Sequence, residues 1–190
     1  MKRALLVIDF INEIVDKKGK LAAKGYASYI AENDTFSHLN AAIKAFRAAG
    51  DLIVFVRLAF DPSYSNQPKS SPVFGKAHEL KILADGSWSS EINDAVDYHK
   101  GDDTVVVKTR VSAFHGTGLA DMLREQGVTD VYIAGVATDL AVEAAARSAH
   151  DLDFTVKVVA DACAAANVTD HEKSLHVLPK FAGIVTASEL

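Results

Sequence analysis

Two side chains and one turn of this chain combine the residue types and positions that acid/base chemistry needs. Asp9 follows the apolar run ALLVI directly. Lys108 closes the run TVVV in the same way. AGVATDLAV, residues Ala134–Val142, reads as a buried strand running into a helix. A carboxylate at the buried end of a strand needs a partner or loses its charge, because desolvation penalises the ionised form. A buried ammonium is equally costly alone. Taken singly, Asp9 is an aspartate capping a backbone turn, and Lys108 is a lysine whose stem reaches back to water. At equivalent strand ends the two can satisfy each other and form a pre-set acid/base pair. The turn after Gly135 adds unpaired helix-start N–H groups, which suit a developing oxyanion. A nucleophile in that turn would be exposed to substrate.

The elements that must position these groups are legible as short apolar runs alternating with helical patterns. The strands expected are Ala4–Ile8, Leu52–Val56, Thr104–Val107, Val131–Ala134, Thr155–Val159 and a last short one at Ile184–Thr186. Phe36–Ala49 carries Phe36, Leu39, Ala42, Ile43 and Phe46 at helical spacing and stops at Gly50. Leu119, Met122 and Leu123 begin a second helix, ended by Gly127. Ala141–Ala149 and His171–Leu178 read as two more. Such alternation predicts an α/β fold of three layers, α/β/α, around a parallel, Rossmann-like six-stranded sheet, in one domain over residues 1–190. Sites in open sheets of this kind lie at the carboxyl ends of the strands. Asp9, Lys108, Val136 with its neighbours, and Asp161 stand there.

The bulk properties narrow the partners. Of 190 residues, 49% are hydrophobic and 24% charged, which suits a full-sized core. The formal net charge is −5 and no basic run occurs, so neither nucleic acid nor membrane is an expected partner. The apolar stretch in MKRALLVIDF is short and ends in Asp9, which makes it a strand rather than a signal peptide or membrane span. Cys163 is the only cysteine, so no internal disulfide forms, in keeping with a cytoplasmic protein. Asp61–Ser90 interrupts the rhythm with three of the four prolines and the only tryptophan, Trp88. It is either a lid or binding loop or an excursion packed on itself. Phe10, Trp88, Arg110 and Phe114 are candidate pocket residues, each with a plainer reading as a core ring or a surface cation. Ser112 and Thr117 can cap the helix after Lys108.

VIDF (Val7–Phe10), KTRVSAFHGTGL (Lys108–Leu119) and GVATDLAVEAAARSA (Gly135–Ala149) together resemble the isochorismatase-like hydrolase superfamily, which includes nicotinamidases, N-carbamoyl amide hydrolases and isochorismatase. ADACAAAN (Ala160–Asn167), His171 and the closing VTASEL fit as well, in the right order. The resemblance implies a small-molecule substrate, a homodimer or homotetramer, and an Asp–Lys–Cys triad in the cysteine-hydrolase members. The Asp matches Asp9 and the Lys matches Lys108. Backbone N–H groups matching Ala137 and Ala141 would hold the oxyanion, beside a cis peptide at Val136–Ala137.

The pattern departs at its centre. The triad cysteine belongs six positions after Gly135, at Ala141, where no thiol is available for acyl-enzyme chemistry. Cys163 lies on a different element among small residues and reads as a packing residue. The Asp and two His that bind a divalent cation in nicotinamidases find only Asp61 in RLAFDPSYSNQP, so no metal and no cofactor is expected. His171 and His176 stand five apart, on different parts of a helix surface. Four readings follow: acid-catalysed vinyl-ether hydrolysis, as in isochorismatase-type members, with Arg57, Arg110 and Arg147 as candidate cations; water-mediated amide hydrolysis with Asp9 as general base; an engineered Cys→Ala variant that traps a substrate; or a degenerate member that binds a small molecule or a partner without turnover.

Overall fold

The computed structural model describes residues 2–190. Strand β1 is Lys2–Ile8, followed by helices α1 (Asn12–Val15), α2 (Tyr26–Glu32) and α3 (Thr35–Ala49). Strand β2 (Leu52–Leu58), helix α4 (Ala77–Leu80), strand β3 (Thr104–Lys108) and helix α5 (Leu119–Glu125) come next. Strand β4 (Val128–Val136), helix α6 (Glu143–Asp151), strand β5 (Thr155–Ala164), helix α7 (Val168–Val177) and strand β6 (Gly183–Val185) complete the order. The six strands form one parallel sheet in the order β3-β2-β1-β4-β5-β6. The order reverses between β1 and β4, where open sheets of this kind form a crevice.

Side-chain alternation along β1 builds the three layers. Ala4, Leu6 and Ile8 enter one core with Leu119, Leu123, Ala145 and Ala149 of α5 and α6. Leu5 and Val7 enter the other with Leu39, Ile43 and Phe46 of α3. Gly135 permits the close approach at the switch point. A Cβ there would lie 2.9 Å from Ile8 Cβ and 3.0 Å from Val142 Cγ2, tighter than packed atoms tolerate.

Several boundaries differ from those expected. The helix expected from Ala141 begins at Glu143, and Thr138–Val142 forms a π-helical turn in front of it, a geometry frequent at functional sites. The last strand ends at Val185 rather than Thr186. β5 continues five residues past Val159 to Ala164, so Asp161 is not a strand end but lies inside the strand. Its Oδ1 accepts from Ala187 N–H at 2.9 Å, and its Oδ2 lies 3.3 Å from His38. The alanine-rich ADACA has weak strand propensity, and its pairing with β4 supplies what the local sequence does not. α7 begins three residues early because the Asn167 side chain caps it, accepting from Asp170 N–H at 2.9 Å.

Asp61–Ser90 holds a small core of its own. Tyr64, Ala77, Ile82 and Leu83 pack with Phe60, Leu58 and Ile11. Tyr64 Oη donates to Ile82 O at 3.0 Å and Lys20 Nζ to Leu80 O at 2.6 Å. Among the described residues no helix is long and apolar enough to cross a membrane.

Candidate active site

A cavity of about 260 Å³ opens at the carboxyl ends of the strands. Asp9 and Lys108 form its floor and are 3% and 1% exposed. Asp9 has left-handed backbone, φ 57°, which aspartate tolerates better than most residues. Its N–H donates to Val56 O at 2.8 Å. Lys108 Nζ lies 2.6 Å from Asp9 Oδ2 and donates to Val111 O at 2.8 Å. Asp9 Oδ1 is buried with no hydrogen-bond partner among the described residues. Burial pushes the Asp9 carboxyl above the ordinary aspartate range, and the Lys108 ammonium opposes that rise.

The turn after β4 forms the adjoining wall. Val136, Ala137, Leu140 and Ala141 all line the cavity, and the Val136–Ala137 peptide is cis. Helix α7 holds this turn from behind: the buried Thr138 Oγ1 is 2.8 Å from His171 Nδ1, and the His171 ring packs 5.3 Å from Tyr29. Burial lowers the His171 pKa, which favours the neutral ring. Ile14, Leu21 and Leu58 supply further apolar wall, as do Pro72, Val73 and Phe74 of the Asp61–Ser90 segment. That segment therefore both packs on itself and shapes the cavity. Val111, Lys24 and Tyr26 complete the lining.

Four expected pocket residues lie elsewhere. Phe10 is a core ring, 2% exposed and 5.9 Å from Phe36. Phe114 stacks on Phe154 at 6.2 Å in the core beneath α5 and α6. Trp88 is 46% exposed, and its carbonyl accepts from Asn12 Nδ2 at 2.9 Å. Arg110 donates to Asn66 O at 3.2 Å and to Thr109 O at 2.8 Å. None of the four lines the cavity. Arg57 pairs with Asp85 at 2.7 Å and Arg147 with Glu143 at 3.0 Å, also outside it. Thr117 Oγ1 accepts from Leu119 N–H at 3.3 Å at the start of α5, whereas Ser112 Oγ bonds Ser148 Oγ at 2.9 Å. The binding-loop reading of Asp61–Ser90 covers Pro72–Phe74 without naming them, whereas Lys24 and Tyr26 were missed, since no local pattern distinguishes them from surface loop.

Cys163 is 1% exposed in the core, and burial pushes its thiol up to about 12. Such a group is inert as a nucleophile. Among the described residues no three His, Cys, Asp or Glu side chains are placed to hold a metal ion together. Asp61 instead turns inward on its own loop, accepting from Ser63 N–H at 2.8 Å. The residues present do not fit the divalent-cation site of nicotinamidases.

A family model described as "Isochorismatase domain" matches residues 3–189. The uncharacterised isochorismatase family protein YecD of Escherichia coli O157:H7 is 28% identical over 94% of this chain and 82% of its own. The ureidoacrylate amidohydrolase RutB of Klebsiella pneumoniae is 30% identical over 84% of this chain and 72% of its own. The N-carbamoylsarcosine amidase structure from Thermoplasma acidophilum superposes with a TM-score of 0.77 at 26% identity, covering 100% of this chain and 99% of that one. The chain belongs to the isochorismatase family, and with it to the hydrolases.

Proposed function

We propose that this isochorismatase-family chain hydrolyses a C–N bond of a small amide without a metal and without a covalent intermediate. The observation that carries the reading is a buried Asp9 held through one oxygen by Lys108 and lining a cavity beside Ala141, where relatives of the cysteine-hydrolase type keep a thiol. Alanine in place of cysteine leaves room for roughly one water there. The Asp9 carboxylate takes a proton from this water, and the hydroxide adds to the amide carbonyl carbon. The N–H groups of Ala137 and Ala141 stabilise the oxyanion. Asp9 then returns its proton to the leaving nitrogen, the C–N bond breaks, and an acid and an amine result. A carboxylate whose pKa is raised is the stronger base for the first step. Lys108 orients Asp9 throughout.

A second reading, vinyl-ether hydrolysis begun by proton transfer from Asp9 to carbon, draws support from the same upward shift. A dianionic substrate of that kind needs several cations; Arg57, Arg110 and Arg147 are all engaged outside the cavity, and Lys24 is the one lining cation without an ion-pair partner among the described residues. The amide reading therefore ranks first.

A panel of simple amides, N-carbamoyl amides, nicotinamide and isochorismate tests both. Release of ammonia or amine from an amide is the expected result. Pyruvate from isochorismate alone would replace the first reading by the second. Silence across the panel, with small-molecule binding retained, would mark a binding protein and overturn both.

A further inference from the structure

Lys24 is the one cation of the cavity lining besides Lys108, and no charge in the lining balances it. Asp9 is the lining's only carboxylate, and Lys108 already answers it at 2.6 Å. Among the described residues no ion pair includes Lys24. Lys24 is exposed whereas the Asp9–Lys108 pair is buried, so Lys24 belongs to the open side of the lining and the pair to its floor. Apolar side chains such as Leu21, Val73 and Phe74 line the space they share.

The turn that carries Lys24 is fixed. Ala22–Lys24 is a 3-10 turn closed by Gly25 N–H on Ala22 O at 3.2 Å. Gly25 has φ 119°, and a Cβ there would overlap the Ala166 carbonyl oxygen, so only glycine lets the turn seat against the segment after β5. Two carboxylates lie near enough to act on the neighbouring Tyr26, Asp139 and Asp170. Neither lines the cavity. Asp170 is held by Asn167 Nδ2 at 2.8 Å and Lys173 at 3.9 Å, and the buried Asp139 Oδ1 has no hydrogen-bond partner among the described residues.

We infer that Lys24 is a specificity-determining residue that selects ligands carrying one carboxylate, separated by an apolar body from the bond to be hydrolysed. The inference rests on the reading of this cavity as the substrate site.

Equilibrium binding tests it with a matched pair that the site cannot hydrolyse: 3-phenylpropionate and its methyl ketone analogue, by calorimetry at low salt. The wild type binds the carboxylate tighter by about three- to tenfold, and added salt narrows the gap. Lys24→Gln abolishes the preference, and Lys24→Glu reverses it. No carboxylate preference in the wild type overturns the inference. A preference that survives Lys24→Gln also overturns it and assigns the anion to Lys108. Binding is read without turnover, so a chain that shows the Lys24-dependent preference yet hydrolyses nothing loses only the hydrolase reading. A chain that hydrolyses acidic and neutral amides alike loses only this one.

Discussion

Lys108 Nζ and Asp9 Oδ2 lie 2.6 Å apart although their strands, β3 and β1, are separated by β2. Two inter-strand spacings amount to about 10 Å. The Lys108 and Asp9 side chains together span that gap across β2, where Leu58 is the residue in register with Lys108. The charges are thus paired by the sheet order, with no neighbouring sequence linking them.

Removing one member of this pair leaves the other charge buried. Lys108→Met is expected to cost about 3–5 kcal/mol in urea unfolding, and Asp9→Leu a similar amount. The double variant is expected to recover much of the loss, because two apolar residues replace the pair. Additive losses would show that the two side chains do not interact as described.

The pH dependence of hydrolysis has a definite sign. As a general base Asp9 must be ionised, so the rate rises with pH through a midpoint above the unperturbed aspartate value of about 3.9, because burial raises the group. Acid-catalysed vinyl-ether chemistry would give the opposite slope through the same midpoint.

His171 predicts a separate effect on stability. Its folded pKa is lowered by burial. The unfolded chain therefore binds the proton more readily, and the stability present above about pH 6.5 is lost as pH falls through the folded value. His171→Gln is expected to flatten that part of the urea-unfolding profile between about pH 7.5 and 5 and to keep a hydrogen bond to Thr138. An unchanged slope would remove His171 as its source.

Ala141→Cys places a thiol in the wall beside Asp9 and Lys108. Its titration midpoint is expected below the free-cysteine value of about 8.5, with Cys163, pushed up to about 12, silent in the same experiment. A midpoint at or above that value would mean that the surroundings do not favour a thiolate at this position.

Much of the sheet was readable because β1, β2 and the middle of β4 are continuous apolar runs, and Asp9 and Lys108 stood out as charges ending such runs. The switch-point turn was readable from Gly135 onward. What was not readable depends on tertiary placement. β5 runs through ADACA because β4 pairs with it. Pro72–Phe74 reach the cavity because the Asp61–Ser90 segment folds over its own small core. Lys24 reaches it because Gly25 seats its turn against Ala166. Phe10, Phe114, Trp88 and Arg110 were plausible by type and proximity in sequence, yet each points to a core, the surface or a neighbouring loop.

The most direct measurement compares the wild type with Asp9→Asn on whichever panel amide is turned over best, with circular dichroism confirming that both are folded. Loss of general acid/base catalysis predicts a rate lower by about 10²–10⁴-fold. A folded Asp9→Asn protein within about threefold of the wild-type rate would contradict the assignment of Asp9 as the group that moves the proton.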